Sequence, residues 1–342
     1  MPAGHDTVVL ATLENPQLAA ALTTNVEPHF GHVDKSAAIA AQLLKGVFNP
    51  EEAVTGSFDE RLAAEIEQRR AERAKQNLRG VFAIFEGAVE VEPNFDAYRD
   101  TENFGIAIDA FDKAAVRELF RPNQDAIISG LILSVPPGMD RKCEKLAQVV
   151  YLKDAASKVI YALSMGGGAV DAYTAGQLTD QAISDSGNLT GMLAADTVLT
   201  RSVSLLVASM EIGRDELEAF LIAWSALEIF VNASFKATYG QRWLQIMRQG
   251  APQSAEPVFD RLADVMKDKY RLADKFLIIA SVLNGVNAAT DEKEFRRLKD
   301  VRDTLLHTYE RTTSPLPTAG VQALTQHYLR LHLLDKAAGN AR

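Results

Sequence analysis

The segment Phe295-Arg296-Arg297-Leu298-Lys299-Asp300-Val301-Arg302-Asp303-Thr304-Leu305-Leu306-His307 places an Arg, an Asp and a His on one expected helix. Those residue types at that spacing suit acid–base chemistry beside a bound anion. An imidazole titrates near neutrality, a guanidinium offers an anion a planar fork of donors, and a carboxylate can orient or charge the imidazole. Residues three and four apart share a helix face. For Arg302 these neighbours are Leu298, Lys299, Leu305 and Leu306, three of them leucine. A charge on an apolar stripe is costly unless it is paired or the stripe opens onto a cleft. Asp303 and His307 are four apart and share a neighbouring face. Arg302 and His307 lie roughly 140° apart around a helix, so they converge only where the Arg stem bends round or the helix ends near His307. The competing reading is an ion-pair network without chemistry.

A second helix supplies the partner that Arg302 requires. From Arg214 onward, Leu221, Trp224, Glu228, Val231 and Phe235 recur at three- and four-residue spacing, an apolar stripe with one carboxylate in its middle. Packing the two stripes together sets Glu228 against Arg302. That pair fixes the register of the helices whether or not the site is catalytic.

The elements that must position these residues are helical. Apolar residues recur at helical spacing over Asp171–Ser184, Gly191–Met210, Arg214–Tyr239, Pro257–Asn284, Glu292–Glu310 and Thr318–Lys336. Asp196 and Asp215 stand where helices should start, Gly240 and Gly250 where they should stop. The front of the chain reads differently. Thr7–Leu13, Val81–Val91, Phe104–Phe111, Ala126–Val135, Val149–Lys153 and Val159–Ser164 are strand-like, with a hairpin around Asp154–Ser157. Phe58–Leu78 is an expected helix with a solvated charged face, and turns fall at Pro93-Asn94 and Pro136-Pro137-Gly138. Met165-Gly166-Gly167-Gly168 reads as a linker. It lacks the Lys-Ser/Thr of a P-loop and the spacing of a dinucleotide-binding turn. The expected fold class is therefore α+β: a mixed α/β domain over residues 1–165, then an all-α bundle over residues 171–336.

Composition narrows the function classes. The 342 residues, 47% hydrophobic and 24% charged, provide for a sizeable core. A net charge of −9 argues against broad nucleic-acid binding through a basic surface. The charge is uneven: residues 256–342 hold 14 Lys/Arg against 12 Asp/Glu, leaving 22 against 33 for residues 1–255. Cys143 is the only cysteine, which excludes an intrachain disulfide and fits a reducing compartment. Met1–Asp6 lacks the basic and apolar regions of a signal peptide. The most apolar run, Phe220–Phe235, is interrupted by Glu228 and Asn232, so no membrane span is expected. A soluble, cytoplasmic protein follows as the expectation. His29 and His32 lack further metal ligands at familiar spacing. His327 and His332 read as surface or core-edge residues.

Phe220-Leu221-Ile222-Ala223-Trp224-Ser225-Ala226-Leu227-Glu228, the following helix to Asn284, Phe295 with Arg302-Asp303 and His307, Pro315-Leu316-Pro317, and His327-Tyr328-Leu329-Arg330-Leu331 together resemble a HEPN domain. The similarity is to the Apea-like type and covers about residues 171–336; residues 1–165 carry no such resemblance. It implies a metal-independent endoribonuclease with no cofactor, acting in anti-phage defence, abortive infection or stress-induced growth arrest. It also implies a homodimer whose Arg–His motifs face each other across a two-fold axis, with RNA as substrate. In that reading His307 is base or acid, Arg302 stabilises the phosphate, and Asp303 orients His307 or its counterpart in the partner. Glu228 supports Arg302 through an ion pair, and residues 1–165 act as sensor or regulator. Two positions depart from the family: Asp303 stands where Asn is common, and Thr308 where Gly often follows the His. Some members are non-catalytic scaffolds or nucleotide-binding modules, which is the alternative.

Overall fold

Strands and helices alternate over the front of the chain, and every described element after Thr174–Ala175 is helical. The computed structural model describes residues 7–14, 16–48, 56–76, 78–102, 104–135, 145–163, 174–175, 179–211, 214–308 and 315–340. The fold class is α+β. Two compact units divide the chain, the first formed by Met1–Gln124 with Lys142–Asp180, the second by Asp125–Arg141 with Gln181–Arg342.

The first unit opens with β1 (Thr7–Glu14) and β2 (Gln17–Thr23), an antiparallel pair, and continues through α1 (Gly31–Phe48) and α2 (Phe58–Gln76) to β3 (Val81–Gly87). Next come β4 (Arg99–Thr101), β5 (Phe104–Ile108), α3 (Lys113–Ser134), β6 (Leu152–Lys153), β7 (Val159–Leu163) and β8 (Thr174–Ala175). One sheet has the order β1-β2-β3-β8 and the other β4-β5-β7-β6, with β5 and β7 parallel. Period-two alternation in the second sheet puts Ile106, Tyr161 and Leu163 with Ala38, Ile39, Leu62 and Ile66 of α1 and α2. Ala107, Ile160 and Ala162 fall in a separate core cluster with Ala110 and Leu152. Arg73 of α2 donates to both oxygens of Asp34 on α1 at 2.6 and 2.7 Å, and lies 4.0 Å from the centre of the Phe30 ring. The β6–β7 hairpin turns at Asp154–Ser157, where Asp154 Oδ1 accepts the amides of Ala156 and Lys158.

The second unit takes the rest of α3 from Asp125, then α4 (Asp180–Ala194), α5 (Thr197–Ala208), α6 (Glu216–Ser234), α7 (Gly240–Gln249), α8 (Glu256–Asp268), α9 (Leu272–Leu283), α10 (Ala288–Thr308) and α11 (Thr318–Asn340). Asp196 and Asp215 cap α5 and α6, each accepting two backbone amides. The core lies around α6, which packs against α5, α9 and α11. Ala223, Ala226, Leu227, Phe230 and Val231 of α6 are completely buried. The continuous run Glu216–Gln249 is long and apolar enough to cross a membrane by length and composition, and half of its most apolar window is buried within the protein.

Several expected elements change. Of the expected strand Ala126–Val135, residues 126–134 are helix. Every residue of that run is buried, so no polar face marks its 3.6-residue period and an unbroken apolar run reads equally as a buried strand. Gly240 does not end a helix. A π turn over Phe235–Tyr239 carries α6 into α7, and a Cβ on Gly240 would stand 3.1 Å from the Phe235 carbonyl. The expected helix Pro257–Asn284 breaks at Lys269–Arg271, where Tyr270 stacks on Phe235 with ring centres 6.1 Å apart. The expected helix from Asp171 begins at Asp180, and Thr174–Ala175 before it is strand. The Gly166–Gly168 linker, Cys143 and the turn at Pro136-Pro137-Gly138 lie outside the described residues.

Candidate functional site

Two helices of the second unit bring Glu228 and Arg302 together. Trp224 and Glu228 are one turn apart on α6, and the buried indole Nε1 donates to Glu228 Oε2 at 3.0 Å. Arg302 of α10 donates to the same oxygen from Nη2 at 2.9 Å, with its guanidinium carbon 5.5 Å from the Trp224 ring centre. The Trp224 ring in turn packs on Phe295, and Phe295 stacks on Phe276 of α9 with centres 4.3 Å apart. An aromatic wall therefore fixes the side chain that holds Arg302.

Leu298, one turn before Arg302, is fully buried, while Leu306, one turn after, is 48% exposed. The stripe on α10 thus runs from core to surface, and Arg302 sits where it emerges. Its side chain is 24% exposed and that of Glu228 36%, so the pair is reachable by a solvent-borne ligand.

Asp303 is engaged by cations on its own helix. Its Oδ1 accepts from Arg302 Nη1 at 2.6 Å, and its Oδ2 accepts from Lys299 one turn earlier. Partial burial pushes the Asp303 carboxyl up, but hydrogen bonds and charges from Lys299 and Arg302 outweigh it and hold the group below the usual carboxylate range. His307 lies in the last turn of α10, five residues beyond Arg302; its side chain is outside the described residues. Asp303 is thus the carboxylate of an Arg302–Lys299 clamp. Glu228, Asp303, Arg302 and Lys299 form a network of two negative and two positive groups.

Two parts of this site were not read from the sequence, although their spacing signals both. Trp224–Glu228 and Lys299–Asp303 are both four-residue pairs, the separation at which helical side chains meet. A further polar step follows Glu228 on α6: Asn232 accepts from Lys275 Nζ of α9 at 2.8 Å.

Three of the remaining histidines, His32, His327 and His332, serve packing. His332 is 2% exposed, against the expectation of a surface or core-edge residue, and its Nδ1 bonds the Tyr239 hydroxyl at 2.8 Å. Burial foremost pushes its imidazole down to about 4. His327 is half-buried beside Asn284 and Tyr328. In the first unit, His32 stacks on Tyr151 and bonds the Tyr161 hydroxyl at 2.9 Å. Among the described residues, no three His, Cys, Asp or Glu side chains are grouped to hold a metal ion. Comparison of the chain with protein-family models, curated proteins and solved structures finds no match.

Proposed function

We propose that the second unit is a HEPN-like domain that cleaves RNA without a metal ion, acting as a cytoplasmic homodimer. The observation that carries this reading is the placement of Arg302. It is partly exposed, braced by Glu228 and Trp224, and lies on the helix that ends beside His307. Cleavage through the RNA 2′-hydroxyl needs a base, an acid and stabilisation of a charged phosphorane. One chain contributes one such His and one such Arg, and an isologous dimer doubles both at its axis. His307 is the proposed base or acid and Arg302 the phosphate-stabilising group. Asp303 tempers Arg302, and the first unit acts as sensor or regulator. Defence against phage, or growth arrest under stress, is the setting that follows from the resemblance.

A second reading has its own observation. Both terminal nitrogens of Arg302 are taken by carboxylates, Glu228 and Asp303, as in a network that serves only to lock helices. In that case the unit is a non-catalytic HEPN scaffold or nucleotide-binding module.

The test is cleavage of mixed cellular RNA by the purified chain in EDTA, beside His307→Ala. Cleavage should survive chelation and fall by at least about 10²-fold in the variant, the usual size of a lost acid–base catalyst. Equal cleavage by both proteins removes His307 from the mechanism. A folded wild-type dimer that leaves RNA intact supports the scaffold.

A further inference from the structure

The first unit carries an open cavity of about 410 Å³ lined by Asp109, Phe111, Asp112, Lys113, Ala114 and Arg117. It lies where β5 gives way to α3. β5 runs parallel to β7, and the Asp109 amide donates to the Leu163 carbonyl at 3.2 Å, so the loop is tied to the carboxyl ends of both strands. Ligands of open α/β sheets bind at that end of parallel strands. Asp109 takes φ of +49°, a left-handed turn that curls the chain away from the sheet.

The lining makes poor sense without an occupant. Lys113 and Arg117 are one turn apart on the same face of α3, and no acidic residue stands in that helix's first turn. Neither cation makes a hydrogen bond or an ion pair within 4 Å among the described residues, and the Arg117 Nε is buried without a partner. Two like charges therefore repel each other, and Lys113 also meets the positive end of the helix dipole. Burial, with Arg117 beside it, holds the Lys113 ammonium below its usual range against the pull of Asp109. An anion lying between the two cations reverses each of these penalties.

The carboxylates narrow the choice of anion. Asp112 spends one oxygen on the Ala115 amide as the cap of α3, leaving its other oxygen and the Asp109 carboxylate as acceptors. A bare polyanion would be repelled by them, whereas a phosphate ester with hydroxyl or amino donors meets both signs. Phe111 adds a half-buried aromatic ring for a planar group, and the volume falls in the range of small-molecule pockets. We propose that this cavity binds a nucleoside monophosphate, with its phosphate between Lys113 and Arg117 and its donors toward Asp109 and Asp112.

The test is isothermal titration of the full chain with AMP and GMP, with inorganic phosphate and adenosine as the separate halves. At least one nucleotide should bind, more tightly than either half. Lys113→Gln and Arg117→Gln should each weaken it by about tenfold or more, while Lys113→Arg retains it. The ligand-free Gln variants should unfold at the wild-type temperature or above, because they remove a repulsion. No binding of either nucleotide at millimolar concentration overturns the proposal, as does binding that ignores both substitutions. Inorganic phosphate that binds as tightly as the nucleotides overturns the nucleotide assignment. A lower unfolding temperature in the ligand-free Gln variants contradicts the repulsion on which the site rests.

Discussion

Replacing Glu228 separates the two jobs its Oε2 performs. Glu228→Ala leaves the indole N–H of Trp224, a residue only 2% exposed, without an acceptor. An orphaned buried donor costs about 1–3 kcal/mol. The same substitution removes one carboxylate from Arg302, but that pair is 24% and 36% exposed, and partly solvated pairs are worth roughly 0.2–1 kcal/mol. The loss should therefore total about 2–3 kcal/mol. Glu228→Gln keeps an oxygen in place for the indole and removes only the charge, so it should cost about 1 kcal/mol or less. Urea unfolding at pH 7, followed by tryptophan fluorescence and far-ultraviolet circular dichroism, measures both. A Trp224→Phe background supplies the control, since the gap between the two Glu228 variants should close when the indole donor is gone. Equal destabilisation by Ala and Gln would refute the reasoning, because charge pairing would then dominate. So would two losses below about 0.5 kcal/mol, the size expected of a surface pair.

A Cβ added at Gly130 would meet Thr190 Oγ1 and stand 2.8 Å from the Ser186 carbonyl, so Gly130→Ala should cost about 1–3 kcal/mol by urea unfolding; an unchanged midpoint would mean that α3 and α4 part freely. Asp34→Asn breaks a bidentate pair in which Asp34 is 3% and Arg73 9% exposed, and should cost about 3 kcal/mol because Glu27 still meets Arg73. His332 is held near pKa 4 in the fold against about 6.5 when unfolded, so the unfolded chain binds the extra proton as pH falls. Stability from this group is complete above pH 6.5 and declines toward pH 4, by about 2 kcal/mol at pH 5; urea midpoints of wild type and His332→Gln should converge there, and parallel pH profiles would remove His332 as the cause. On the proposed nuclease reading, Asp303→Asn should tighten RNA binding by roughly fivefold, about 1 kcal/mol for one negative charge removed beside the phosphate. Weaker RNA binding by filter retention would instead give Asp303 a direct part in holding substrate.

Legibility in the sequence followed solvent contrast. α2, with charge on one side and Leu62 and Ile66 buried on the other, showed its period plainly, as did α10. The caps Asp196 and Asp215 were legible because a carboxylate accepting backbone amides needs only local geometry. Residues 126–135 were not, because burial on every side removes the contrast that carries the period. The break at Lys269–Arg271 has neither Gly nor Pro within it; Tyr270 there stacks on Phe235, a contact made across 35 positions of sequence. The cavity beside β5 was missed for a related reason. Asp109 fell inside the expected strand Phe104–Phe111 and Lys113 and Arg117 in no expected element, whereas β5 ends at Ile108 and its parallel pairing with β7 puts them at a strand end.

The same limit governed the candidate site. Two lone charges on apolar stripes imply each other, so Glu228 and Arg302 could be paired from sequence. Asp303 could not be assigned in that way, since Lys299, Arg302 and His307 all fall within its helical reach. In the fold Lys299 and Arg302 each donate to one of its oxygens. On the proposed nuclease reading, a phosphate meets Arg302 beside both carboxylates. The guanidinium carries five N–H donors and spends one from each terminal nitrogen on Asp303 and Glu228, so donors remain for an anion. Glu228 is anchored a second time by the buried Trp224 indole, which packs on Phe295. Asp303 keeps Lys299 when it lets go of Arg302, and it sits on the same helix as both cations, so a side-chain rotation suffices. On that reading Glu228, held by the indole, aims Arg302, while Asp303 can swing toward Lys299 to make room for the anion.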